Sequence, residues 1–107
     1  MKIQEQPKST VSLDSLIVNY FLDDAFVAEY LTQALENEDP RQFIIAFQRV
    51  IKGREIPISQ LAIKAKMSRT ALYKIFAYRS NPGYGTLLKL MHAIGFEFQA
   101  VKQTKKA

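Results

Sequence analysis

The stretch Ile58-Ser59-Gln60-Leu61-Ala62-Ile63-Lys64-Ala65-Lys66-Met67-Ser68-Arg69-Thr70-Ala71-Leu72-Tyr73-Lys74-Ile75-Phe76 decides the fold. Ser59 is suited to cap a short helix carrying Leu61, Ala62 and Ala65. Ser68, just after Lys66-Met67, is suited to cap a second helix, Ser68 to Ala77, with Ala71, Leu72, Ile75 and Phe76 on its inner face. Two short helices joined by a very tight turn have the layout of a helix-turn-helix, whose second helix enters the major groove of DNA. The small Ala62 and Ala65 let the pair approach closely. With the apolar stripe inward, Arg69, Thr70, Tyr73 and Lys74 face outward. They offer donors for guanine edges and phosphates, a hydroxyl, and an aromatic ring for a thymine methyl. Ser68 and the first amides of that helix suit a phosphate, because the positive dipole end and unpaired N–H groups lie there. Gln60, Arg79 and Lys89 are further phosphate-contact candidates. Taken singly, Arg69 or Lys74 is most often only a solubilising surface charge.

The flanks read as helices too. Upstream, Leu13, Leu16, Ile17, Tyr20 and Phe21 share one helical face, and so do Val27, Tyr30, Leu31, Ala34 and Leu35, with Asp23 and Asp24 as caps between them. Asp39-Pro40 starts a third helix whose stripe is Phe43, Phe47, Val50 and Ile51. Gly53 is expected to end it in a left-handed conformation. Downstream, Ser80-Asn81-Pro82-Gly83 is a loop, and Thr86 to Ile94 is a helix with Leu87, Leu88, Met91 and Ile94 inward. Phe96 to Val101 mostly alternates apolar and polar, which predicts one short strand. The expected fold is therefore all-α with about six helices. A flexible arm spans 1–11, a helical extension 12–39, the helix-turn-helix domain 40–96, and the strand and basic tail 97–107.

Charge divides the chain. Residues 1–52 carry five basic and eight acidic side chains, whereas residues 53–107 carry ten basic and two acidic ones. Asymmetry of this kind suggests two kinds of partner, the basic half suiting a polyanion. The same charges on a merely solvated surface are the alternative.

The segment quoted above, followed by Asn81-Pro82 and Thr86-Leu87-Leu88-Lys89-Leu90 through Ile94-Gly95, resembles the phage-repressor (XRE/Cro-like, lambda-repressor-like) class of helix-turn-helix domains over residues 40–96. One departure is Lys66, which stands where that class has a turn glycine and so implies a left-handed lysine. A wider stretch is similar to the addiction-module antidote proteins, antitoxins of the HigA-like, host-inhibition-of-growth type. It runs from Asp24 through Tyr30-Leu31-Thr32-Gln33-Ala34-Leu35-Glu36 and Asp39-Pro40 to Gly95-Phe96-Glu97-Phe98. That resemblance spans about residues 14–101. It implies an antitoxin that neutralises a small basic ribonuclease toxin of RelE/HigB-like fold and represses its own operon. Between Asp14 and Asp39 seven acidic residues stand with no Lys or Arg, namely Asp14, Asp23, Asp24, Glu29, Glu36, Glu38 and Asp39. Such a surface would steer a basic toxin, although the same carboxylates also serve as helix caps.

Other chemistries find little support. There is no cysteine, and His92 is the only histidine. Ser59 and Ser68 lack a neighbouring base, and Gly83-Tyr84-Gly85 follows no strand. No catalytic residue, metal site or cofactor is expected, and the protein is not read as an enzyme. No apolar run reaches the roughly 18 residues of a membrane span, and the first residues lack the apolar core of a signal peptide, so a cytoplasmic protein is expected. Operator DNA is the expected partner of a homodimer. The Phe96–Val101 strand would serve for pairing between copies or onto a toxin edge. Two further readings stay open: a stand-alone repressor-like regulator without a toxin, and an interaction module that has lost DNA binding.

Overall fold

The computed structural model describes residues 20–102, which form five helices: α1 (Asp24–Leu35), α2 (Arg41–Gly53), α3 (Ile58–Ala65), α4 (Arg69–Phe76) and α5 (Tyr84–Ala93). The all-α class is as expected. The arm 1–11, the helix expected from Leu13 up to residue 19, and residues 103–107 lie outside the described residues. One core unites the five helices. Helix α2 contributes Phe43, Ile44, Ala46, Phe47, Val50 and Ile51 to it, because it packs on α1 on one side and α4 on the other. Helix α3 packs on both α4 and α5. Val27 and Leu31 of α1 are fully buried in this same core.

Helix starts follow local capping chemistry. The Asp23 carboxylate accepts from the amides of Ala25 (2.9 Å) and Phe26 (3.3 Å). Asp24, expected as a cap, is instead the first helical residue and pairs with Arg54 at 2.7 Å. Asp39 accepts from the Arg41 amide at 3.0 Å, so the Asp-Pro start operates one residue later than read. Ser59 does not cap α3. That helix begins at Ile58 after an extended Pro57, leaving Ser59 exposed within the first turn. Helix α5 begins at Tyr84, two residues before the expected Thr86, and buries Leu90, Met91 and Ile94 while Leu87 and Leu88 are only half-buried.

Helices α2 to α5 all end in the same motif. The amide five residues on bonds back to the carbonyl (Ile56 to Ile51, Met67 to Ala62, Arg79 to Lys74, Phe96 to Met91), and a left-handed residue donates inside that loop. Those residues are Glu55, Lys66, Tyr78 and Gly95, so three of the four are not glycine. The reward is satisfied carbonyls and, at Ile56, Met67 and Phe96, an apolar side chain returned to the core.

Gly53 departs from expectation. It is the last helical residue rather than the left-handed one, a part taken by Glu55 at φ 57°. Glycine is needed because a Cβ there would lie 2.6 Å from Phe21 Cδ2 and 2.8 Å from Phe21 Cβ.

The expected strand at Phe96–Val101 is not formed, and among the described residues there is no strand at all. A strand needs a ladder partner, and among the described residues no segment supplies one. The apolar positions pack on helices instead. Phe98 lies 6.3 Å from the Phe43 ring and 6.1 Å from Tyr84, and Phe96 lies under the Arg54 guanidinium at 5.2 Å.

Candidate nucleic-acid interface

Helix α4 is held from below by Leu72 and Ile75, both buried, with Ala71 and Phe76 half-buried beside them. Leu61, Ala62 and Ala65 of α3 are buried in the same core, where small side chains permit close approach. The link between the two helices is Lys66-Met67-Ser68. Lys66 adopts φ 56°, ψ 47°, the left-handed conformation implied by the resemblance to a turn glycine. Met67 is half-buried and anchors the turn. Ser68 is extended, and its hydroxyl oxygen accepts from the Ala71 amide at 3.0 Å. These local devices fix where α4 begins and how it is rolled.

The roll leaves Arg69, Thr70, Tyr73 and Lys74 exposed on the outer face, with Tyr73 57% accessible. No acidic residue occupies the first turn, so nothing there neutralises the positive end of the helix dipole. Among the described residues the ion pairs are Asp39–Arg41 and Asp24–Arg54. Arg69 and Lys74 are therefore available to an external anion on the described surface. Gln60 is exposed on the first turn of α3, beside Lys64 and His92 in a shallow recess. Lys89 is exposed on α5.

Arg79 is set apart from this face. It follows the left-handed Tyr78 and lines a groove opposite the α1–α2 turn. The structure thus gathers Ser68, Arg69, Thr70, Tyr73 and Lys74 on one short helix, places Gln60 on its neighbour, and separates Arg79.

Two features had no sequence signal. Tyr84 stands 68% exposed at the start of α5, between two glycines around which there is open space. Arg54 ties three segments together. Its Nε donates to the Phe21 carbonyl at 2.7 Å, its Nη2 reaches Asp24, and its guanidinium covers Phe96. Each partner is distant in sequence or lacks a recognisable motif.

Residues 12–102 match the family described as probable addiction module antidote protein. The chain belongs to that antidote family. An uncharacterized protein of Haemophilus influenzae (strain ATCC 51907 / DSM 11121 / KW20 / Rd) is 28% identical over 91 residues, which is 85% of this chain and 91% of that protein. No solved structure gives a significant match. Membership in an antidote family supports an antitoxin role and implies, in general, a toxin as partner. No helix among the described residues is long and apolar enough to cross a membrane.

Proposed function

We propose that this antidote-family protein neutralises a small basic RelE/HigB-like ribonuclease toxin in a type II toxin–antitoxin module and also represses its own operon. In this reading, α3 and α4 form a phage-repressor-type helix-turn-helix of HigA-like antitoxins, and a homodimer presents two copies of α4 to operator DNA. The observation that carries the DNA-binding half is the outer face of α4: four side chains with base- and phosphate-reading chemistry, exposed on a helix whose other face is locked in the core.

The major groove, about 12 Å wide, admits one α-helix. Arg69 and Thr70 at the N-terminal end meet base edges, Arg69 as a bidentate donor to guanine, while Tyr73 and Lys74 lie along the groove wall. The Ser68 hydroxyl and the first amides of α4 receive a phosphate, and Gln60 holds the adjoining backbone. A two-fold dimer then reads half-sites about one helical turn, roughly 34 Å, apart. The toxin-binding half rests on the family and on the acidic stretch Asp23 to Asp39. Part of that stretch is engaged locally, since Asp23 and Asp39 cap helices and Asp24 pairs with Arg54.

Titration of the protein onto its own promoter at rising salt tests the DNA half. Affinity is expected to fall steeply with salt, and Arg69→Ala is expected to lose about 1–3 kcal/mol of specific binding. Equal binding of Arg69→Ala and the unaltered protein would remove α4 from the interface. Co-purification with the product of the adjacent reading frame tests the toxin half and separates it from a stand-alone regulator.

A further inference from the structure

Lys66 holds a conformation that costs stability in any residue bearing a Cβ: φ 56°, ψ 47° lies in the left-handed region, which glycine enters freely. Glu55 and Tyr78 share that region, but of the three only Lys66 is cationic and stands in the link between α3 and α4. Its charge is not needed to finish α3. The Lys66 amide donates to the Ile63 carbonyl at 3.2 Å and the Met67 amide to the Ala62 carbonyl at 3.0 Å, so backbone groups already close that helix.

The side chain is exposed, and neither of the ion pairs among the described residues, Asp39–Arg41 and Asp24–Arg54, involves it. From Ile56 to Phe96 the sequence holds six lysines and arginines and no aspartate or glutamate. Lys64, Lys66 and Arg69 therefore repel one another within six residues, and a polyanion laid across them relieves that repulsion. Chain connectivity keeps the Lys66 Cα within about 8 Å of the Ser68 Cα. The flexible four-carbon stem of a lysine then brings a point charge into the neighbourhood of the first turn of α4.

We infer that the Lys66 ammonium grips a DNA backbone phosphate beside the first turn of α4, so that the left-handed turn is itself a DNA contact. The inference rests on the DNA-binding reading above and adds a residue that positions the protein on the duplex without reading its sequence. Glycine in this place would give a more stable turn and a weaker DNA binder, so the two properties move in opposite directions.

The test titrates the full chain over a range of salt with its own promoter and with an unrelated duplex of equal length. Lys66→Gly removes charge and strain together. Lys66→Asn removes the charge but keeps a side chain that tolerates the left-handed region, and Lys66→Arg keeps the charge. Lys52→Ala, exposed in the last turn of α2, is the control. Lys66→Gly and Lys66→Asn are each expected to lose about three- to tenfold in affinity for both duplexes and to flatten the log–log salt slope by about 1. Lys66→Arg and Lys52→Ala keep the slope of the unaltered protein. Lys66→Gly is also expected to melt at a higher temperature, which separates its loss of binding from any loss of fold. An unaltered slope in both Lys66→Gly and Lys66→Asn overturns the phosphate contact and leaves α4 as the reading helix. A loss confined to the promoter also overturns it, because the turn would then act through the tilt of α4. Equal flattening by Lys66→Arg and Lys66→Gly has the same consequence. Failure of the unaltered chain to bind either duplex overturns the DNA reading together with this contact.

Discussion

Arg54→Ala is expected to be the most damaging single truncation of a charged side chain in this protein. The guanidinium is only 18% exposed, yet it serves three neighbours. Its Nε–H bond to the Phe21 carbonyl at 2.7 Å is a charge-assisted bond, worth about 1.5–3 kcal/mol. The stack over Phe96 at 5.2 Å adds about 0.5–1 kcal/mol. The bond to Asp24 adds little, because that carboxylate is 82% exposed and water screens it to about 0.5 kcal/mol or less. Since the three share one side chain they do not add fully, and a net loss of about 2–4 kcal/mol is expected. In a domain of this size that lowers the melting temperature by roughly 10–20 °C. Urea melts of Arg54→Ala, Arg54→Lys and Asp24→Asn check the ordering. Arg54→Lys should lose about half as much, because an ammonium keeps one bond but not the planar stack. Asp24→Asn should be nearly neutral. If Asp24→Asn matched Arg54→Ala, the surface pair would dominate and the buried-carbonyl argument would be wrong.

Gly53→Ala is expected to destabilise by about 1–2 kcal/mol: helix propensity favours alanine by about 1 kcal/mol, but overpacking Phe21 costs more. A melt showing stabilisation would mean that Phe21 moves freely. Lys66→Gly should stabilise by about 1 kcal/mol, since it removes the left-handed strain of a side-chain-bearing residue; an unchanged urea midpoint would count against that strain. Ser68→Ala should cost about 1 kcal/mol through loss of the bond to the Ala71 amide, and should weaken promoter binding as well, measured by melt and titration together. The Asp39 carboxyl is held low by Arg41, so its contribution to the start of α2 is present above the ordinary aspartate range and is lost as pH falls through its lowered value. Amide exchange at Arg41 and Gln42, followed from neutral to acid pH, should show faster opening that Asp39→Asn already displays at neutral pH.

Legibility in the sequence tracked the range of the interaction responsible. Ser68 and the inward set Leu72, Ile75 and Phe76 were readable because a cap and a 3.6-residue period act within one turn of helix. The left-handed Lys66 was readable because the phage-repressor class that this segment resembles places glycine there. Gly53 was misread: glycine at a helix end has two physical uses, and only the position of Phe21, 32 residues earlier, tells them apart. The strand was misread for a related reason. Alternation at Phe96 and Phe98 signals one face buried, and in this chain the burying surface is Phe43, Tyr84 and Arg54 rather than another strand. Arg54 itself carried no signal, because its value lies in a backbone carbonyl and a ring, neither of which marks the sequence.

The division of charge between the two halves of the chain invites a picture of two modules, one for each proposed partner. Packing argues against independent modules. Val27 and Leu31 are fully buried against the helix whose opposite side supports α4. Burying each such side chain is worth about 1.5–3 kcal/mol, a large part of the roughly 5–15 kcal/mol a small domain has in total. A chain begun at residue 40 would therefore uncover one side of α2, and with it the base on which α4 rests. Under the proposed function, the acidic stretch Asp23 to Asp39 and the DNA-facing helix share α2 as a common floor. A disturbance at the first is expected to reach the second through Phe43 and Phe47, which pack toward Phe98 and Phe76 respectively.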